Sequence, residues 1–214
     1  MNESPEFSIA EALCSHLCHE LISPITAVNN GLELLGEDES GMAADALELV
    51  RHSALEASRR LQFYRLAYGQ ATGFETDPGF KAARALAQGL LANGKIALDW
   101  APGDGRLQPG RDGAKLALNM VALARDALPR GGAVVVTAAN QGAHIAISVL
   151  AKGPGAGLKD EMRAAMTAEP SAVGPRTVQA YLTAHLAQGL GTRLTVGAAE
   201  GDGVLMTALV PASH

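Results

Sequence analysis

Apolar residues in the first third of the chain recur at helical steps. Leu13, Leu17, Leu21, Ile25, Val28, Leu32 and Leu35 are separated by three or four positions, which predicts one helix with a single apolar seam. This helix should start near Phe7 to Ala10 and end near Gly36, and Glu37-Asp38-Glu39-Ser40-Gly41 reads as a polar turn. Leu47, Val50, Ala54, Ala57, Leu61, Tyr64 and Tyr68 then alternate steps of three and four, a heptad seam. A short turn between two long helices predicts an antiparallel hairpin. Two helices alone bury too little. Long seams with many small residues point to two hairpins from two chains, hence a homodimeric four-helix bundle.

Gly69 to Pro78 reads as a linker, and the pattern changes after it. A helix is expected over Phe80 to Ala92 and an alternating strand over Lys95 to Trp100. A Pro/Gly-rich loop covers Ala101 to Gly110, and a strongly apolar helix covers Gly113 to Leu128. Ala133 to Ala139 and His144 to Leu150 form a hairpin around Asn140-Gln141-Gly142. Helices over Leu158 to Thr167 and Gly174 to Gln188 follow, then a hairpin of Arg193 to Gly197 and Val204 to Val210. The class is α+β: a helical hairpin over residues 1–72, then, over 73–214, helices on one face of a mixed sheet.

Composition narrows the function classes. With 214 residues and 48% hydrophobic, the chain can bury a sizeable core. A net charge of −5 argues against nucleic acid as the main partner. No apolar run approaches the roughly eighteen residues of a membrane span. Met1 to Phe7 is polar and acidic, unlike a secretory signal. Cys14 and Cys18 lie one turn apart on the first helix, which fits reduced thiols in a cytoplasmic protein. With His16 and His19 they point around much of the helix, so no metal centre is expected.

The chemistry concentrates on the first helix. Taking Leu17 as zero and about 100° per residue, the seam fills a sector from roughly −40° to +80°, and His19 falls near 200°. His16, Ile22, Ser23, Thr26 and Asn30 share that solvated face. An imidazole on a rigid helix, turned away from the core, can act as nucleophile, ligand or proton carrier. Glu20 follows directly, and Pro24 sits inside the helical pattern, where proline costs about 3 kcal/mol. Arg59, Arg60 and Arg65 on the second helix offer charge to a phosphoryl group or an acidic partner, or are simply solvated.

His19-Glu20-Leu21-Ile22-Ser23-Pro24 resembles the H-box of two-component histidine kinases, usually H-E-L-R-T-P, with Ile22 in place of arginine. Leu17-Cys18-His19-Glu20-Leu21-Ile22-Ser23-Pro24, with Asn30-Gly31-Leu32-Glu33-Leu34-Leu35, is more closely similar to the ChpT-type histidine phosphotransferases of alphaproteobacteria. The later element order resembles the ATP-binding domain of histidine kinases, the GHKL or Bergerat fold. Its motifs are altered. Leu118 to Pro129 sits where the N-box is expected, but the Mg²⁺-binding asparagine is replaced by Leu123, and a Lys or His position by Asp126. Ala151-Lys152-Gly153-Pro154-Gly155 looks like the G1 box with its adenine-binding aspartate replaced by Ala151. Val173-Gly174-Pro175-Arg176-Thr177 has too few glycines for a phosphate-cradling lid. Leucine cannot coordinate Mg²⁺, and alanine cannot accept the adenine amino proton.

The resemblance therefore implies a hairpin like the dimerisation and phosphotransfer domain of kinases, followed by a degenerate ATPase-like domain that uses no ATP. The implied function is a histidine phosphotransferase that carries phosphoryl groups between receiver aspartates through His19. Glu20 would orient the ring or take its second proton, Ser23 would hydrogen-bond the phosphoryl group or a water, and His16, Ile22, Thr26 and Asn30 would meet the receiver. The protein needs no cofactor of its own, because the receiver brings the Mg²⁺. By resemblance the donor is a CckA-type hybrid kinase and the acceptors are CtrA- and CpdR-like regulators of the cell cycle, with the degenerate domain as a second docking surface. Three other functions use the same residues: a divergent ATP-dependent kinase, a receiver phosphatase and a non-catalytic receiver-binding dimer.

Overall fold

The computed structural model describes residues 4–36, 42–69, 79–100 and 109–212. Helix α1 spans Pro5–Gly36 and α2 spans Ala43–Ala67. Gly31 near the end of α1 faces Ala46 and Val50 near the start of α2, while Glu20 in mid-α1 meets Arg60 and Tyr64 late in α2. The hairpin is therefore antiparallel, as the short connection demands. Helix α1 continues through Pro24, whose ring is buried. The polar turn read at Glu37 to Gly41 and the domain boundary read at 72/73 lie outside the described residues.

The second layer comprises α3 (Gly79–Leu91), β1 (Ile96–Trp100), α4 (Gly110–Asp126), β2 (Gly132–Gln141), β3 (His144–Lys152), α5 (Asp160–Ala165), a 3-10 turn at Pro170–Ala172, α6 (Val178–Gly189), β4 (Thr195–Ala199) and β5 (Gly203–Pro211). The sheet has five strands in the order β1-β2-β3-β5-β4. Only the β1–β2 pair is parallel, with Ile96 opposite Gly132 and Trp100 opposite Val136. A parallel pair needs a crossover, and α4 provides it. Residues Leu116 to Ala124 of α4 are all buried, so this helix, apolar all round, is the axis of the core. Val134, Val136, Ile147, Val149 and Met206 meet it from the sheet.

Local chemistry explains where the elements differ from the sequence pattern. The hairpin strands β2 and β3 run further than their apolar alternation, and the turn falls on Gly142-Ala143. Helix α6 begins at Val178 rather than Gly174. Thr177 Oγ1 accepts the Gly174 N–H at 3.1 Å, and the Val178 N–H reaches the Gly174 carbonyl at 2.9 Å, so Gly174–Thr177 is a turn. The glycines that resemble a nucleotide motif have a packing reason instead. A Cβ on Gly153 would run into the Gly131 carbonyl oxygen, and one on Gly132 (φ +141°) into the Lys152 carbonyl oxygen.

The hairpin and the layer share one core. Phe63, Tyr64, Leu66 and Ala67 of α2 belong to the same buried cluster as α4. Near the start of α1, Ala12 packs with Val173 and Val178 in a second, smaller cluster. The outer seam of the hairpin is left open. Leu32, Leu47 and Leu61 are each more than half exposed. A groove of about 560 Å³ runs between Leu13, Leu17 and Leu21 on one side and Leu61, Tyr64 and Tyr68 on the other.

Candidate functional site

The helical angle of His19 carries over into three dimensions. His19, Ile22, Ser23, Thr26 and Asn30 are all exposed, and Ile22 is 63% accessible despite its apolar side chain. His19 lines a cleft of about 750 Å³ between α1 and the layer. The other wall is built by Lys159, Glu161 and Met162 around the start of α5, and by Gly174 to Thr177. Two cations, Lys159 and Arg176, thus share the cleft with the imidazole.

His16 corrects the angular reading. It sits 60° short of His19 at about 100° per residue, on the side where the layer packs, and it is half-buried rather than solvated. Its Nδ1 lies 3.2 Å from the Pro175 carbonyl oxygen. Its Nε2 is buried without a partner. Burial therefore lowers the His16 pKa, with Arg125 acting in the same direction against Glu20, Asp126 and the Pro175 bond.

Glu20 is next to His19 in sequence but not in direction, since consecutive helical side chains do not face each other. Its carboxylate turns into the layer. Oε2 accepts from the Tyr64 hydroxyl at 2.7 Å, from Arg125 at 2.9 Å and from Arg60 at 3.3 Å. Oε1 accepts the other Arg125 nitrogen at 3.1 Å. Burial pushes this carboxyl up, yet Arg125, Tyr64 and Arg60 together outweigh it and hold its pKa below the usual value. Arg60 also donates to the Glu20 backbone carbonyl at 2.7 Å and pairs with Glu56. The charge that the sequence offered to a phosphoryl group at Arg60 is therefore engaged inside the fold. Burial raises the Tyr64 phenol well above its ordinary range, so it remains a donor.

A second polar network lies deeper. Asn119 Nδ2 donates to the Ala67 carbonyl at 2.8 Å and to the Lys115 carbonyl at 2.9 Å. Gln179 Nε2 reaches Asn119 and Thr183, and its Oε1 accepts from the Tyr68 hydroxyl. The first asparagine of the N-box-like segment thus ties the end of α2 to α4. Leu123 and Ala151 are fully buried, and Leu158, Met162 and Ala165 join them in the core. Hydrocarbon therefore surrounds both side chains. Among the described residues, no group of three His, Cys, Asp or Glu side chains could hold a metal ion, and no helix is long and apolar enough to cross a membrane.

Sequence reasoning missed Arg125, Tyr64, Lys159 and Gln179. One signal was present. Arg125 closes the run Leu116 to Ala124, in which Asn119 is the one polar residue, and arginine is rarely buried without a partner.

Comparison with known proteins places this arrangement. The histidine phosphotransferase C-terminal domain family matches residues 80–202. The protein phosphotransferase ChpT of Brucella abortus (strain 2308) is 36% identical over 197 residues, covering 89% of this chain and 90% of that protein. A solved bacterial phosphotransferase is 32% identical, with a TM-score of 0.80 over 97% of this chain and 98% of that one. The catalytic domain of the histidine kinase ThkA is 16% identical, with a TM-score of 0.50 over 62% of this chain and 90% of its own, a likeness of fold alone. With relatives covering nearly its whole length, the chain belongs to the ChpT-type histidine phosphotransferases.

Proposed function

We propose that His19 is the residue that carries the phosphoryl group, and that it shuttles the group between aspartates of receiver domains. The observation that carries this reading is the exposed imidazole at the rim of a cleft, on a helix whose neighbouring carboxylate is fixed elsewhere. A nitrogen of the neutral ring attacks the phosphorus of an aspartyl phosphate in line. The N–P bond forms as the P–O bond to the aspartate breaks, and the carboxylate leaves with the electron pair. The other ring nitrogen holds its proton. Reversal of the step loads a second receiver. The receiver's own acids hold the Mg²⁺ that offsets charge on the transferring group.

Most of the work left to this chain is positioning. Ile22, Thr26 and Asn30 offer a surface along α1 on which a receiver can lie. Ser23, one turn beyond His19, is within reach of the phosphoryl oxygens or of a water. Lys159 and Arg176 line the same cleft, alongside the carboxylates of Glu161 and Asp126, and offer cations to the phosphoryl group of a partner. Glu20 is engaged by four donors and held in its charged form, so it acts on the site through its own position rather than by taking the imidazole proton. The buried leucine at position 123 and alanine at 151 support a protein that takes phosphate from another protein and not from ATP.

The open seam of Leu32, Leu47 and Leu61 is the face on which a second copy completes a four-helix bundle. By resemblance the donor is a CckA-type hybrid kinase, the acceptors are CtrA- and CpdR-like regulators, and the compartment is the cytoplasm. The test mixes the protein with a CckA-type receiver domain loaded with labelled phosphate. Acid-labile, base-stable label on the chain, absent from His19→Ala, is expected. Loss of phosphate from the receiver without such label would make the protein a phosphatase, and label from ATP alone would make it a kinase.

A further inference from the structure

The acidic residue beside His19 points away from it and into a pair that spans the two parts of the fold. Arg125 leaves the last turn of α4, meets both oxygens of Glu20 at 2.9 and 3.1 Å, and is 81% removed from solvent, as is its partner. Tyr64 and Arg60 of α2 close on the same carboxylate. A carboxylate accepts about four hydrogen bonds, and four donors arrive here. A two-point contact between a planar guanidinium and a carboxylate fixes orientation as well as distance. One turn earlier on α1, His16 contacts the Pro175 carbonyl, so the cleft wall opposite His19 is tied to the same helix.

We propose that Arg125 is a positioning residue for phosphotransfer. With Glu20 it forms a latch that holds the layer at one angle to α1, so that the cleft wall of Lys159 and Arg176 stands at a fixed place relative to His19. Glu20 serves this latch and is not the base for His19. The proposal rests on the reading of His19 as the phosphorylated residue. A protein that fetches phosphate from a receiver needs the two walls held still, because the receiver must meet both at once.

The test uses the full-length protein and two phosphate donors. Phosphoramidate is a small donor that can label an exposed imidazole without a second protein. The CckA-type receiver domain loaded with acetyl phosphate must dock. Arg125→Met, Arg125→Lys and Glu20→Gln are compared with the parent, with circular dichroism as a check on folding. The latch predicts that Arg125→Met keeps phosphoramidate labelling within about two-fold. Receiver-driven transfer should fall ten-fold or more, with the loss in KM rather than kcat. Arg125→Lys, which keeps the charge but not the fork, should fall in between and carries the test if Arg125→Met fails to fold. The double variant Arg125→Met with Glu20→Gln should be no worse than the poorer single one, as expected for two ends of one contact. Unchanged KM in both Arg125 variants overturns the latch. A slowed phosphoramidate reaction in Glu20→Gln overturns it too, since Glu20 would then act on the imidazole proton. If the parent takes label from neither donor at His19, the reading of His19 itself fails and the latch falls with it.

Discussion

Arg125 and Glu20 lie 105 positions apart and meet through two hydrogen bonds across the boundary between hairpin and layer. The contact turns the acidic residue of an H-box-like motif into part of the frame. It also separates two neighbours in sequence: His19 is exposed at the rim of the cleft, and Glu20 turns into the layer.

Removing Glu20 should therefore destabilise the fold as well as alter transfer. Glu20→Ala leaves Arg125 largely buried, with Asp126 as its remaining ion-pair partner among the described residues, and breaking such a pair from one side costs about 3–5 kcal/mol when fully buried. With about a fifth of each side chain exposed, about 2–3 kcal/mol is the expected loss in urea denaturation. The folded pKa of Glu20 lies below its unfolded value of 4.5. Its contribution is thus present above that pH and is lost as pH falls through the folded value. A Glu20→Ala protein as stable as its parent at pH 7 would rule this out.

The open seam makes a prediction about assembly. Leu61→Lys puts a charge on a position that is 53% exposed in the single chain and should leave the monomer folded. In a four-helix bundle the same ammonium is desolvated against a second chain, at a cost of several kcal/mol. Light scattering should report a dimer for the parent and a monomer, with unchanged helicity, for the variant. A variant that stays dimeric would move the interface away from this seam.

The close approach of α1 and α2 depends on Gly31. A Cβ there would lie 2.7 Å from Val50 Cγ2 and 3.1 Å from the Ala46 carbonyl oxygen. Valine is stiff at χ1 and the carbonyl is fixed, so the helices must separate. Overpacking costs about 1–3 kcal/mol, against about 1 kcal/mol gained by replacing glycine in a helix. Gly31→Ala should lower the melting temperature by several degrees, and Gly31→Val by more. A rise in melting temperature would mean that the helices have room to give.

The sequence pattern carries different parts of this molecule to different degrees. The two long helices, the strands and the outward angle of His19 follow from periodicity, because a regular backbone turns spacing into direction. The resemblance of residues 17–24 and of the later motifs carries the family, which the 36% identical relative supports. The contacts of Glu20 were not legible, since its partners come from α2 and from α4 far along the chain. His16 lay near the border of the solvated sector, and no angle on one helix says where another part of the chain will pack. Gly153 looked like a nucleotide motif because close strand packing and phosphate binding both ask for glycine.

His16 gives the fold a pH dependence of definite sign. Burial holds its folded pKa below the 6.5 of an exposed imidazole. Between those two values the unfolded chain binds more protons than the folded one, so stability falls as pH falls through 6.5 and continues to fall until the folded value is passed. The groups that face the ring are Glu20, Asp126, Arg125 and the Pro175 carbonyl, with the Tyr64 and Tyr68 rings edge-on to it. Asp126 works in the opposite sense: its folded pKa is raised by burial, so its protonation favours the folded state as pH drops toward 3.8. Both Asp126 and Glu20 remain in His16→Asn, whose amide can still donate to the Pro175 carbonyl. The difference in slope between parent and variant thus isolates the imidazole. Urea midpoints at pH 7.5, 6.5 and 5.5 should decline in the parent and stay nearly level in His16→Asn. Parallel slopes in the two proteins would mean that His16 titrates alike in the folded and unfolded chains, and that its ring is open to water.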